Sequence, residues 1–169
     1  MVPRRVHLYD RIMSIVPALD LRQPTAEPAH APANIEAEQA LLGCVLFDNA
    51  ALERLSDLLQ PAHFYEPFHA RLFQAIREHV NKGQQAEPIV LMERFRRDPA
   101  FEDLGGMSYL ADLIDRAPPA ANAPDYARVI YDLALRRDLI RIGGEIIKEA
   151  PQPETAAIDQ IESAEQQLY

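Results

Sequence analysis

A chain of 169 residues with 48% apolar side chains can bury a core, which excludes a disordered polypeptide. A formal net charge of −9 argues against a dedicated duplex-binding module, which needs clustered Lys and Arg on its surface. One cysteine, Cys44, excludes an intrachain disulfide, and no apolar run approaches the ~20 residues of a membrane helix.

Five of the 14 prolines precede residue 33, and a stretch such as "RQPTAEPAHAPA" has little to bury. Residues 1–33 are therefore expected to be a flexible, Pro-rich N-terminal arm. Ile12–Leu19 is short and broken by Pro17, so it does not read as a signal peptide. A reducing cytoplasm fits the cysteine usage.

Order is expected from Asn34, a good N-cap. Glu36 and Glu38 follow in the first turn, where acids suit the helix dipole. They sit two positions apart, so they diverge on a helix and make a poor general acid/base pair. Ala37, Leu41, Leu42, Val45 and Leu46 form a stripe at helical spacing. "FDNA" ends this helix and caps the next, whose Leu52, Leu55, Leu58 and Leu59 are expected inward.

Pro67 begins a helix that reaches Lys82 and stops at Gly83, with Phe68, Leu72, Ala75, Ile76 and Val80 as its buried stripe. A short helix over Pro88–Arg97 and another over Ser108–Arg116 follow. Pro124 then opens a proline-free run to Ala150, about 40 Å long as a helix. Tyr126, Ile130, Leu133, Ile140 and Ile147 lie along one face. Leu135, Leu139, Ile142 and Ile146 lie along another. Such a helix needs two partners. After "PQP", Glu154–Tyr169 is again helical, with Ile158, Ile161 and Leu168 apolar, and the 21 residues Glu149–Tyr169 carry no Lys or Arg. No segment alternates at period two. The fold class is all-α: a globular multi-helix head over 34–117 and a helical hairpin over 122–169. That hairpin is too poor in apolar surface to cover itself, so one face is expected to meet another chain or domain.

Chemistry-bearing candidates are few. His63, His69 and His79 fall in the 17 residues "HFYEPFHARLFQAIREH". On a helix from Pro67, His69 and His79 are about 15 Å apart along the axis and roughly 80° around it. One zinc ion, with bonds of about 2 Å, does not bind both. His69 reads as a helix-surface or interface histidine. The six glycines make neither GxGxxG nor GxxxxGK[ST], and no GxSxG is present. No catalytic, metal-ligating or cofactor-binding residue is assigned. Arg136, Arg137 and Arg141 lie among Asp132, Asp138 and Glu145. They read equally as a ladder of surface ion pairs or as charged contacts across an oligomer interface.

"NIEAEQALLGCVLFDNAALERL", "HFYEPFHARLFQAI", "LGGMSYLADL" and "YARVIYDLALRRDLIRIGGEI" occur in that order. Together they resemble the N-terminal domain of the bacterial DnaB-type replicative DNA helicase, from Asn34 to the chain end. The resemblance implies self-association: hairpins pair between subunits, and the domains form a trimer-of-dimers collar on a hexameric ring. It implies docking of the C-terminal domain of primase, with a helicase loader as a further partner. It also implies that ATP hydrolysis, with its Mg, and DNA unwinding belong to a linker and RecA-like motor domain absent from these residues. The chain itself is then not an enzyme, carries no cofactor and binds DNA weakly. The expected location is the cytoplasm. Leu135, Leu139, Ile142, Ile146, Ile158 and Ile161 are the candidates for hairpin packing and pairing, with Arg137 and Arg141 beside them. The arm before Asn34 matches no motif of the family, "EPIVLMERF" lacks a polar cap, and no motif fixes primase contacts. A standalone helical adaptor that regulates helicase or primase is the alternative. A metal-dependent hydrolase using His63, His69 or His79 is the third reading.

Overall fold

A computed structural model of the chain describes residues 31–55 and 58–168, so the expected arm lies almost wholly outside the described residues. Among those residues every regular element is helical. The central element is α1, Ile35–Phe47. Asn34 caps it, its side chain accepting the Ala37 N–H at 2.9 Å. Leu41, Leu42, Cys44 and Val45 are fully enclosed, because helices lie against α1 on several sides. Gly43 makes one of those approaches possible. A Cβ there would sit 2.2 Å from the Leu113 carbonyl oxygen, far inside van der Waals contact.

The expected second helix is shorter than its leucines suggest. Residues Asn49–Arg54 make a 3-10 turn, capped by Asp48. Because the turn ends at Arg54, the four-leucine face is not continued. Leu55 and Leu59 are buried, and Leu58 is exposed. A further 3-10 turn, Pro61–His63, leads into α2, Pro67–Asn81. Pro67 occupies the first helical position, where its missing N–H costs nothing. Gly83, at φ +69°, ends the helix in the left-handed region.

Helices α3 (Pro88–Phe95), α4 (Pro99–Asp103) and α5 (Met107–Asp115) complete the head. The α4 turn is absent from the sequence reading, which stops a helix before Pro99. Asp98 instead caps a new one, accepting the Ala100 N–H at 3.0 Å. The Phe68 ring holds this corner together. It stacks on Phe101 at 5.5 Å and meets Phe95 edge-on at 5.2 Å.

Helix α6, Ala123–Glu149, is the long one. Its packed line against the head is Ala123, Ala127, Ile130 and Ala134, spaced one turn apart. This corrects the face drawn through Tyr126, Ile130, Leu133, Ile140 and Ile147, of which only Ile130 is buried. Small side chains let the helix axes approach, so alanines, not branched residues, mark the seam. Helix α7, Ala157–Leu168, folds back antiparallel to the far half of α6. Gln160 donates to the Glu149 carbonyl at 2.9 Å, and Arg141 donates to Gln167 at 3.3 Å.

Candidate functional site

The most concentrated polar chemistry is a buried trio drawn from three helices. Glu38 of α1, His69 of α2 and Tyr109 of α5 are 2%, 1% and 9% exposed. His69 Nδ1 lies 2.7 Å from Glu38 Oε2, and Nε2 lies 2.5 Å from the Tyr109 hydroxyl. Glu38 also accepts the backbone N–H of Tyr65 at 2.6 Å and of Glu66 at 3.3 Å. Gln39 donates to the Tyr109 oxygen at 3.2 Å. One tautomer satisfies every partner. A neutral imidazole donates from Nδ1 to the ionised Glu38 and accepts the Tyr109 O–H at Nε2. Burial raises the Tyr109 pKa; the Gln39 hydrogen bond opposes this, and the charges of Glu66 and Glu38 add to it.

This order of carboxylate, imidazole and hydroxyl matches a nucleophile relay in type but not in access. With the hydroxyl enclosed, no substrate atom reaches it. The trio is a lock that joins α1 to the start of α2 and to α5. One expectation is corrected here and one extended. His69 is a core residue, not a surface one, and Glu38, although in the first turn as expected, is also a buried acceptor.

The other histidines are occupied elsewhere. His63 Nδ1 accepts the Gln60 N–H at 3.0 Å, and His79 Nδ1 donates to the Ala75 carbonyl at 2.9 Å. Among the described residues no group of three or more His, Cys, Asp or Glu side chains is placed to hold a metal ion. The arginines divide. Arg136 pairs with Asp132 at 2.7 Å, and Arg141 pairs with Glu145 at 2.9 Å, both as exposed helix ladders. Arg137 is different. It donates to the carbonyl of Pro32 at 2.8 Å and of His63 at 2.6 Å, and its guanidinium lies 5.7 Å from the Tyr65 ring centre. These contacts clamp α6 to the head.

The apolar candidates gather on the hairpin. Leu135, Leu139, Ile146, Ile158 and Ile161 are 44–60% exposed, while Ile142 is buried. Two clefts run along the seam between α6 and α7. One, of about 300 Å³, is lined by Leu135, Leu139, Ile142 and Leu168. The other, of about 390 Å³, is lined by Ile146, Ala150, Ala157, Ile161, Ala164 and Leu168. Gln167 and Leu168 line both, so the two form one apolar groove along the hairpin. The sequence reading missed Ala150, Ala157 and Ala164, although their spacing from Ile146 and Ile161 carries the signal. No helix among the described residues is long and apolar enough to cross a membrane.

Residues 30–132 match the family model described as "DnaB-like helicase N terminal domain". A replicative DNA helicase DnaB of Rickettsia prowazekii is 42% identical over 144 residues, which is 84% of this chain and 30% of that protein. The DnaB of Treponema pallidum is 38% identical over 82% of the chain and 32% of its own length. The replicative DNA helicase DnaC of Bacillus subtilis is 31% identical over 81% and 30%. The chain thus spans about 30% of the length of the curated relatives it matches. The crystal structure of the N-terminal domain of DnaB helicase from Mycobacterium tuberculosis superposes with a TM-score of 0.71 at 29% identity. It covers 82% of this chain and 98% of that one.

Proposed function

Because the chain belongs to the DnaB-like helicase N-terminal domain family, we propose that it is an assembly and docking domain of a replicative helicase. It acts by binding, not by catalysis. The observation that carries this reading is the open groove along α6 and α7. Leu135, Leu139, Ile146, Ile158 and Ile161 stand exposed on the hairpin, as do Ile140, Ile147 and Leu168. A second hairpin laid along the groove completes a four-helix arrangement and removes a few hundred Å² of apolar surface from water per subunit, at about 25 cal/mol per Å² before association costs.

In this reading Leu135, Leu139, Ile146, Ile158 and Ile161 pair between subunits. Ile142 holds the two helices of one hairpin together. Arg141 stays in its ladder at the edge, and Arg137 serves the clamp to the head. Paired hairpins give dimers, and three dimers give a collar on a hexameric ring. The surface left outside the pairs receives the C-terminal domain of primase. ATP-driven unwinding of DNA is then the work of a motor domain outside these 169 residues. Light scattering on the purified chain tests the pairing. Leu139→Asp is expected to weaken assembly while Arg128→Asp, on the head-proximal part of α6, leaves it unchanged. A strict monomer at high micromolar concentration refutes the reading.

A further inference from the structure

A second surface, on the head and away from the hairpin groove, has a different chemistry. Helices α2 and α3, the Pro61–His63 turn and the start of α4 surround an open cleft of about 650 Å³. Its floor is apolar, made by Pro61, Ala62, Ala70 and Phe95. Its rim holds three arginines, Arg71, Arg94 and Arg97, against one carboxylate, Asp98. A rim of positive charge is unusual on a chain of net charge −9.

Two of the arginines are already positioned. Arg71 reaches Asp98 from Nε at 2.9 Å and from Nη2 at 2.8 Å, and donates from Nη1 to the Pro67 carbonyl at 3.2 Å. Arg94 donates from Nη1 to Glu78 at 2.5 Å. The Arg94 hydrogen bond, aided by Gln74, lowers the Glu78 carboxyl to about 2, so this pair stays ionised across the working pH range. Among the described residues Arg97 makes no ion pair. Its guanidinium is the donor still available, and Arg94 stands beside it on the same rim.

We propose that this cleft binds an acidic, partly apolar peptide segment of a partner protein. Its carboxylates pair with Arg97 and Arg94, and one aliphatic or aromatic side chain sits on the apolar surface of Pro61, Ala62 and Ala70. A planar guanidinium matches a carboxylate with two parallel hydrogen bonds. An apolar floor with a few charged groups at its edge suits a side chain with flanking acids. Single-stranded nucleic acid fits less well. It needs an exposed aromatic face for base stacking, and Phe95 is only 5% exposed.

The test uses the full 169-residue chain and a fluorescein-labelled peptide, Gly-Glu-Asp-Leu-Asp-Glu-Phe-Gly, followed by fluorescence anisotropy. Saturable binding is expected. It should weaken at least about tenfold in Arg94→Gln/Arg97→Gln, the loss expected for two charge-assisted hydrogen bonds. Leu139→Asp should bind the peptide as the parent chain does, which separates this site from the hairpin groove. Thermal melting of the arginine variant, with an unchanged midpoint, keeps the comparison on a folded protein. The single variant Arg97→Gln, at a position with no ion pair among the described residues, supplies a second reading in the same direction. Three results overturn the proposal: no saturable binding, equal binding of the peptide with Gln and Asn replacing its acids, or unaltered binding by the arginine variants. Competitive displacement of the peptide by oligothymidylate at lower concentration than unlabelled peptide also overturns it, in favour of nucleic acid.

Discussion

Replacing His69 with Ala should strip the core of its one basic partner for Glu38. The Glu38 carboxylate would keep the N–H groups of Tyr65 and Glu66, at 2.6 and 3.3 Å, but lose the imidazole at 2.7 Å. The enclosed Tyr109 hydroxyl would lose the acceptor of its proton. Leaving the Glu38 carboxylate one hydrogen bond short and the Tyr109 hydroxyl without its acceptor costs about 1–3 kcal/mol each, roughly 3 kcal/mol together. With a urea m-value of roughly 1–3 kcal/mol/M, the midpoint should fall by about 1–3 M. Glu38→Gln should also destabilise, because an amide cannot accept from two backbone N–H groups and the imidazole at once. The double variant should lose less than the sum of the two, with a coupling of about 1–3 kcal/mol. Urea unfolding followed by circular dichroism measures all three. A loss under about 1 kcal/mol for His69→Ala, or strict additivity, refutes the claim that this trio locks the head.

Gly43→Ala should destabilise the chain by about 1–3 kcal/mol, since the new methyl meets the Leu113 carbonyl oxygen at 2.2 Å and α1 must move away from α5; an unchanged thermal midpoint counts against that close approach. Arg137→Ala should remove two hydrogen bonds to the carbonyls of Pro32 and His63 and cost about 1–3 kcal/mol, read by the same unfolding assay. His63 supplies a pH dependence. Burial chiefly lowers its pKa, with Asp138 opposing and Arg137 assisting, and protonation would remove the Nδ1 acceptor used by Gln60. The unfolded chain therefore binds more protons than the folded one just below the unperturbed value of 6.5. Stability should be fully present above pH 6.5 and decline as pH falls towards the folded value. His63→Gln should flatten that slope; a slope of opposite sign, or one that the substitution leaves unchanged, contradicts the assignment.

Much of the helical layout was legible because local rules and tertiary contacts agree. Asn34, Pro67 and Gly83 mark helix ends by their own conformational chemistry, and each does so in the fold. The residues that escaped depend on neighbours distant in sequence. Nothing near Glu38 announces that residues 65, 66 and 69 will surround it, so a first-turn acid was the natural reading. Periodicity finds the large apolar residues of α6, but the alanine seam at Ala123, Ala127 and Ala134 is set by how closely α1 approaches. Arg137 stands among Arg136 and Arg141 with no local sign that it alone turns to the head. The stripe Leu135–Leu139–Ile142–Ile146 was visible as an apolar helical face, and among the described residues all of it but Ile142 stands exposed.

The central claim is that this open face pairs with its copy in another subunit. Sedimentation equilibrium on the parent chain and on Leu139→Asp, from low to high micromolar concentration, addresses it most directly. Leu139 is 58% exposed, so the substitution should leave the fold of one chain intact. The account predicts a concentration-dependent rise to dimer or higher for the parent and a monomer for the variant with unchanged helix content. A monomeric parent across the whole range, or a variant that associates as tightly as the parent, contradicts it.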